Sequence, residues 1–271
     1  MALATSPAAS PFAPLLFAGR VDRAIGAAAD LGYDGVELSL RAAEEVDAGW
    51  LSEELDRRGL ALSALGSGRA FLEDGLSFSD PDRRVRREAV ARLGGHIALA
   101  ARFGAVVILG LLRGSRPPAS DPDGAATRRR LVECTLECAT EARARGVGLV
   151  VEAINRYETS FLNTAAQTLE FLEDVGDESV GVLLDVFHMN IEEVRIGDAI
   201  REAGPRLGYF HVVDSNRRAP GAGHVDYVEV REALRDAEYG GWFSAEVLPH
   251  PDDLAAARAA VEFVRGWADS A

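Results

Sequence analysis

The chain has 271 residues, of which 48% are hydrophobic and 27% charged, and it carries a formal net charge of −14. This is globular composition with apolar material for a large core, which excludes a disordered chain, and the length suits a single-domain (β/α)8 barrel spanning residues 1–271. The acidic balance argues against a nucleic-acid partner, and neither a bilayer-spanning apolar run nor the basic start of a secretory signal is present, so no membrane partner and a cytoplasmic location are expected.

In chain order, a short first strand reads at Ala2–Thr5, followed by SPAASPFAPLLFAG, a loop that could shape the pocket or an oligomer interface. Helix composition over about 20–32 stops at Gly32, and Gly35 to Leu40 reads as a strand. A helix over about 46–58 precedes a strand from Leu60 to Leu65, and a long helix from Pro81 to Phe103 precedes the apolar run Ala105 to Leu112. A further helix, from Ala125 to Arg145, leads into Gly148 to Ala153. Strands at Val180 to Val186, Leu207 to Val213 and Trp242 to Val247 then alternate with helices, ending in a helix from Asp252 to Ala268. That makes eight strands, the number a barrel of this kind requires.

The strand runs, VVILGLL and GVGLVV among them, are nearly continuously apolar, as parallel strands covered on both faces are. The rival, an open doubly wound sheet, would need a phosphate-cradling turn, and GSGRAF at Gly66 lacks the third glycine of that spacing. The arginines at 83, 84, 86, 87 and 128–130 fall on helices as solvated faces. Cys134 and Cys138, one helical turn apart, are expected to be reduced thiols, since that placement suits neither a disulfide nor, without partners nearby, zinc.

Glu152, Asp185, His211 and Glu246 each stand at or just past the end of one of the last four strands. One such residue alone is commonly a cap or a salt-bridge partner. Four from four successive parallel strands converge on the C-terminal face of a barrel, and three carboxylates with an imidazole suit one hard or borderline divalent ion: Mn2+ first, with Co2+ or Mg2+ as alternatives. Glu37, on the second strand, either reaches the same pocket or pairs with Arg69 or Arg113. His224 lies in a glycine-rich turn near the pocket, His96 and His250 are structural or exposed, and Trp50, Trp242 and Trp267 are packing residues.

The segments VEAINRYETSFLN, LLDVFHMNIEE, GYFHVVDSNRRAPGAGHVD and GGWFSAEVLP resemble the ketose 3-epimerases of the xylose-isomerase-like TIM barrels. GSGRAFLEDGLSFSDP and VVILGLLRG look like the branch that includes 5-keto-L-gluconate epimerase. The resemblance implies that Glu152, Asp185, His211 and Glu246 bind one catalytic metal ion and that Glu158, His188 and Arg217 contact substrate. It also implies a homodimer or homotetramer. In the reaction it implies, Glu152 and Glu246 are the acid/base pair that removes the C3 proton from one face of the sugar and returns one to the other through a cis-enediolate, with the ion as Lewis acid.

Arg69 and Arg113 follow the third and fourth strands, where a guanidinium could bind a sugar carboxylate in bidentate fashion. This favours a keto-uronate or keto-aldonate such as 5-keto-gluconate or tagaturonate, although the related branch tends to carry an uncharged polar residue where Arg69 stands. An aldose–ketose isomerase on the same metal site is the nearest alternative. An endonuclease of this fold would want a histidine-rich multi-zinc cluster that five histidines do not supply, and a non-catalytic sugar-binding barrel is the remaining class.

Overall fold

The structure is a computed structural model and describes residues 1–9, 14–114, 121 and 124–267. Part of the predicted N-terminal loop (10–13) and Ala268 lie outside the described residues. The elements run β1 (Ala2–Thr5), α1 (Val21–Leu31), β2 (Gly35–Ser39), α2 (Ala48–Arg58), β3 (Ala61–Gly66), α3 (Gly68–Asp74), α4 (Arg83–Ala101) and β4 (Val106–Leu109). They continue with α5 (Ala125–Ala144), β5 (Leu149–Glu152), α6 (Ala165–Val175), β6 (Val180–Asp185), α7 (Val186–Glu192) and α8 (Ile196–Ala203). β7 (Leu207–His211), α9 (Tyr227–Asp236), β8 (Phe243–Ala245) and α10 (Asp253–Arg265) complete the order. The eight strands pair in parallel, in sequence order, and β8 closes back on β1. The predicted (β/α)8 barrel is therefore the fold, and no helix among the described residues is long and apolar enough to cross a membrane.

The period of two along each strand places the site. Inside the barrel, Ala64, Ile108, Val150, Leu183 and Tyr209 form a buried plug with Trp242 packed against it. Two residues on from four of these plug residues, on the same face of the strand, come Gly110, Glu152, Asp185 and His211. The intervening Leu109, Val151, Leu184 and Phe210 face outward into the larger core between strands and helices. The taper needs glycine: a Cβ on Gly208 would lie 2.7 Å from Val150 Cγ1.

Local chemistry stops and starts the helices as expected. Gly32, at φ 77°, ends α1, and the Asp47 and Asp82 carboxylates cap α2 and α4. Helix α3 is an addition to the sequence reading, and two further features differ from it. The apolar run Ala105 to Leu112 breaks at Gly110 into a 3-10 turn, Leu111–Arg113, and the predicted strand Val180 to Val186 ends at Asp185, where helix α7 begins directly. The reason for the second is Asp185, whose Oδ1 accepts from Phe187 N at 2.8 Å and so caps α7.

Candidate active site

Glu152, Asp185, His211 and Glu246 each offer one ligand atom, and these atoms all lie within 4.8 Å of one another. His211 Nδ1 sits 3.2 Å from Asp185 Oδ2, 3.6 Å from Glu246 Oε2 and 4.0 Å from Glu152 Oε1. Asp185 divides its work: Oδ1 holds the start of α7 and Oδ2 turns to the cluster. Gly110 keeps the space open, because a Cβ there would come within 2.9 Å of Glu152 Oε2. Glu37 lies behind His211, its Oε2 3.2 Å from Nε2, and both residues are buried. The two readings left open for Glu37 thus resolve in favour of the pocket; its partner is His211 and neither arginine. With Nε2–H donated to Glu37, the Nδ1 lone pair faces the three carboxylates, the arrangement of a metal-ligating histidine.

The cluster is short of positive charge. Burial, and then the neighbouring Glu246 carboxylate, push Glu152 up to about 8. Burial likewise pushes Glu246 up to about 7, against the pull of Arg217 and His211. Asp185 moves the other way: burial disfavours its charge, but Arg217 and the two imidazoles hold its carboxyl below the usual range. His211 is held well above its usual value by Glu37 and Glu246 despite its burial. Three carboxylates, Glu152 and Asp185 buried and Glu246 half-buried, surround one imidazole with two of them poorly compensated, a donor set that a divalent cation fits and neutralises. The cluster could therefore hold a metal.

Around this centre the structure gathers the other expected residues. Glu152, Glu158, His188, His211, Arg217 and Glu246 line one cavity of about 280 Å³, a volume for a small molecule. Arg217 donates to Asp185 Oδ2 at 2.5 Å and to Glu246 Oε2, and its guanidinium stands 4.8 Å over the Phe187 ring. It adopts φ 61° in the loop after β7, where Asp214 gathers the backbone N–H groups of Ser215 and Gly221. His188, in the first turn of α7, is kept neutral: burial pushes it down to about 3 although Asp185 pulls it up. The residue missed in the sequence is Asn155, 1% exposed, whose Nδ2 lies 2.7 Å from His188 Nδ1 and 2.9 Å from Glu158 Oε1. An amide donor at Nδ1 leaves Nε2 of His188 as the N–H, 3.7 Å from Glu152 Oε1. The signal was in VEAIN, three residues past Glu152, but an Asn there reads equally as a turn residue.

The two arginines are placed differently from expectation. Arg113 is corrected: its side chain is fully buried outside the cavity, and it donates to the carbonyl oxygens of Glu152, of Leu162 at 3.1 Å and of Phe161 at 3.4 Å. The 3-10 turn after Gly110 sets it against the end of β5, where it braces the strand and the following loop. Arg69 does line the cavity, but it is held by the Glu45 and Glu73 carboxylates at 2.6 and 2.7 Å. His224 bonds Ser215 Oγ at 3.0 Å as an exposed turn residue, and His96 is buried against the carbonyls of Arg92 and Leu40. Both cysteines are free and buried, and burial pushes their thiols up.

Fold and site together define a parallel eight-stranded barrel whose C-terminal mouth could hold one divalent ion over a cavity for a small molecule. A family model described as xylose isomerase-like TIM barrel matches residues 25–267. The chain is 38% identical to a D-psicose 3-epimerase of Agrobacterium fabrum, over 79% of this chain and 74% of the relative. It is 32% identical to an L-ribulose 3-epimerase of Mesorhizobium japonicum, over 83% and 75%. A crystal structure of D-psicose 3-epimerase in the presence of D-fructose superposes with a TM-score of 0.82, at 30% identity and 98% coverage of each chain. The chain belongs to the ketose 3-epimerase family of xylose isomerase-like TIM barrels, which makes it an enzyme of the epimerase and isomerase class.

Proposed function

We propose that the chain is a divalent-cation-dependent epimerase that inverts C3 of a ketose, with Glu152 and Glu246 as its acid/base pair. The observation that carries this reading is the convergence of three carboxylates and His211, one at or just past the end of each of four successive strands, on the cavity mouth. When bound, the cation, Mn2+ by preference of this oxygen-rich set, supplies Lewis-acid polarisation of the sugar carbonyl and its neighbouring hydroxyl. Glu152, Asp185, His211 and Glu246 would hold it.

Inversion next to a ketone needs a base on one face of C3 and an acid on the other. Glu152 ends β5 and Glu246 follows β8, three strands further round the barrel, so the two carboxylates approach a bound sugar from different sides. One takes the C3 proton and the other returns a proton to the opposite face; in the reverse reaction the two exchange tasks. Arg217 sets a fixed positive charge beside Glu246 and Asp185, close to where oxyanion character develops. His188 presents Nε2–H and Glu158 an acceptor carboxylate, a complementary pair for adjacent sugar hydroxyls, with Asn155 holding both. Self-association as a homodimer or homotetramer is part of the same proposal and is read by light scattering.

The test is product analysis by chromatography after incubating the Mn2+-loaded protein with D-fructose, D-psicose or L-ribulose, with chelator controls. The expected product is the ketose of inverted C3 configuration, lost on chelation and restored by Mn2+. An aldose product would instead support the isomerase, and unchanged sugar in every reaction would support a binding barrel.

A further inference from the structure

We propose that the Glu45–Arg69–Glu73 cluster is a substrate selector that turns away sugars carrying a carboxylate or phosphate and receives a neutral hydroxyl end. This rests on the epimerase reading above. Arg69 stands in the first turn of α3 and is 8% exposed, with its side chain on the cavity wall. All its donors are spent. Nε–H goes to Glu73 Oε1 at 2.7 Å, and Nη2 to Glu73 Oε2 and Glu45 Oε1, both at 3.1 Å. Nη1 goes to Glu45 Oε2 at 2.6 Å, with Ser6 Oγ at 3.3 Å and Ser39 O at 3.4 Å taking its second hydrogen. A guanidinium binds a carboxylate or phosphate through two parallel free N–H groups, and none remains here.

Charge points the same way. One guanidinium faces two carboxylates, Glu73 on the cavity wall and Glu45 behind it, so the cluster carries a net negative charge. Glu45 is further fixed by the Arg41 backbone N–H at 2.8 Å. Glu73 also lines the cavity and its side chain is 42% exposed, so its oxygens retain acceptor capacity toward a sugar hydroxyl. An alcohol end donates into that position, whereas an anionic end meets like charge with no donor to answer it. The keto acids expected from Arg69 and Arg113 are thus disfavoured at both arginines.

The experiment compares the Mn2+-loaded full chain on a neutral ketohexose, its 6-phosphate and the ketohexuronate of the same configuration, at low and moderate salt. The wild type is expected to favour the neutral sugar at least tenfold in kcat/KM, with the KM for the anionic sugars falling as salt screens the repulsion and the neutral KM unmoved. In Glu45→Gln/Glu73→Gln the anionic sugars should gain at least tenfold through KM, because Arg69 is freed to bind them. A cluster that only supports the fold would lower both substrates alike and leave the ratio and its salt dependence unchanged. Wild-type preference for the keto acid or the phosphate, or an unaltered ratio in the double variant, overturns the proposal. Turnover of none of the sugars would count against the epimerase reading alone, and the selector is then read from the same ratio in saturation-transfer NMR binding.

Discussion

Removing the Glu37 carboxylate should weaken metal binding without touching any ligand. His211 Nε2 lies 3.2 Å from Glu37 Oε2, both groups are buried, and Nδ1 faces the three carboxylates. In the proposed metal site Glu37 would therefore select the tautomer in which Nδ1 is free to bind the cation, raise its basicity and hold the ring in line. A hydrogen bond to a charged group contributes about 1.5–3 kcal/mol. At about 1.4 kcal/mol per tenfold, Glu37→Ala should lose roughly 10- to 100-fold in Mn2+ affinity, the range found for carboxylates behind metal-ligating histidines. Glu37→Gln keeps an acceptor and loses the charge, so a loss of roughly 3- to 10-fold is expected from the smaller strength of a neutral bond. Isothermal titration of Mn2+ into the metal-free proteins reads this directly, with circular dichroism showing that each variant is folded. Equal affinity in wild type and Glu37→Ala would refute the positioning argument, and so would a Gln variant weaker than the Ala variant.

Three further outcomes follow from the geometry. Arg113→Met leaves the buried Glu152 carbonyl without its side-chain donor, at about 1–3 kcal/mol, while the Leu162 carbonyl keeps the Ile154 N–H at 3.2 Å, so the melting temperature should fall by roughly 2–12 °C at about 2–4 °C per kcal/mol; an unchanged midpoint with a raised KM for a keto acid would instead restore Arg113 to substrate binding. Asn155→Ala frees His188 and Glu158 together, so KM should rise several-fold while Mn2+ affinity stays level; titration and steady-state kinetics separate the two, and unchanged KM contradicts the assignment. The third outcome concerns pH. Glu152 and Glu246 in the metal-free protein are raised to about 8 and 7, above the ordinary 4.5 of the unfolded chain, so between those limits the folded state binds more protons and stability falls as pH rises. His211, also raised, adds to the fall above its ordinary value of 6.5; the buried His188, lowered to about 3, and His96, also lowered, act the opposite way but only below 6.5, and the lowered Asp185 acts only in acid, so the fall is expected above pH 6.5. Thermal scans from pH 6.5 to 8.5 should show this decline without metal and a flatter profile with Mn2+, and a metal-free midpoint rising with pH over that range would contradict it.

The sequence carried the barrel and the four-residue cluster because both depend on local pattern. The apolar strand runs mark their own ends, and the period of two carries Val150 to Glu152, Leu183 to Asp185 and Tyr209 to His211 on one interior face. What it did not carry was where long side chains turn. Arg113 follows a barrel strand as expected, but Gly110 starts a tight turn that aims the guanidinium at backbone carbonyls. Arg69 and Glu73 are four residues apart, a visible pair once α3 is recognised, whereas Glu45, which completes the cluster, lies 24 residues away. The Glu37–His211 pair spans 174 residues and follows only from barrel closure, and Asn155 became legible only once α7 brought His188 within reach.

The most direct test of C3 epimerisation is proton NMR of a ketose with the Mn2+-loaded protein in D2O, run alongside Glu152→Gln and Glu246→Gln. The account predicts deuterium at C3 of both epimers with wild type, and loss of epimer formation by orders of magnitude in each variant while Mn2+ binding is held by saturation. Deuterium at C1 or C2 with an aldose forming, or C3 inversion that survives both substitutions, would contradict it.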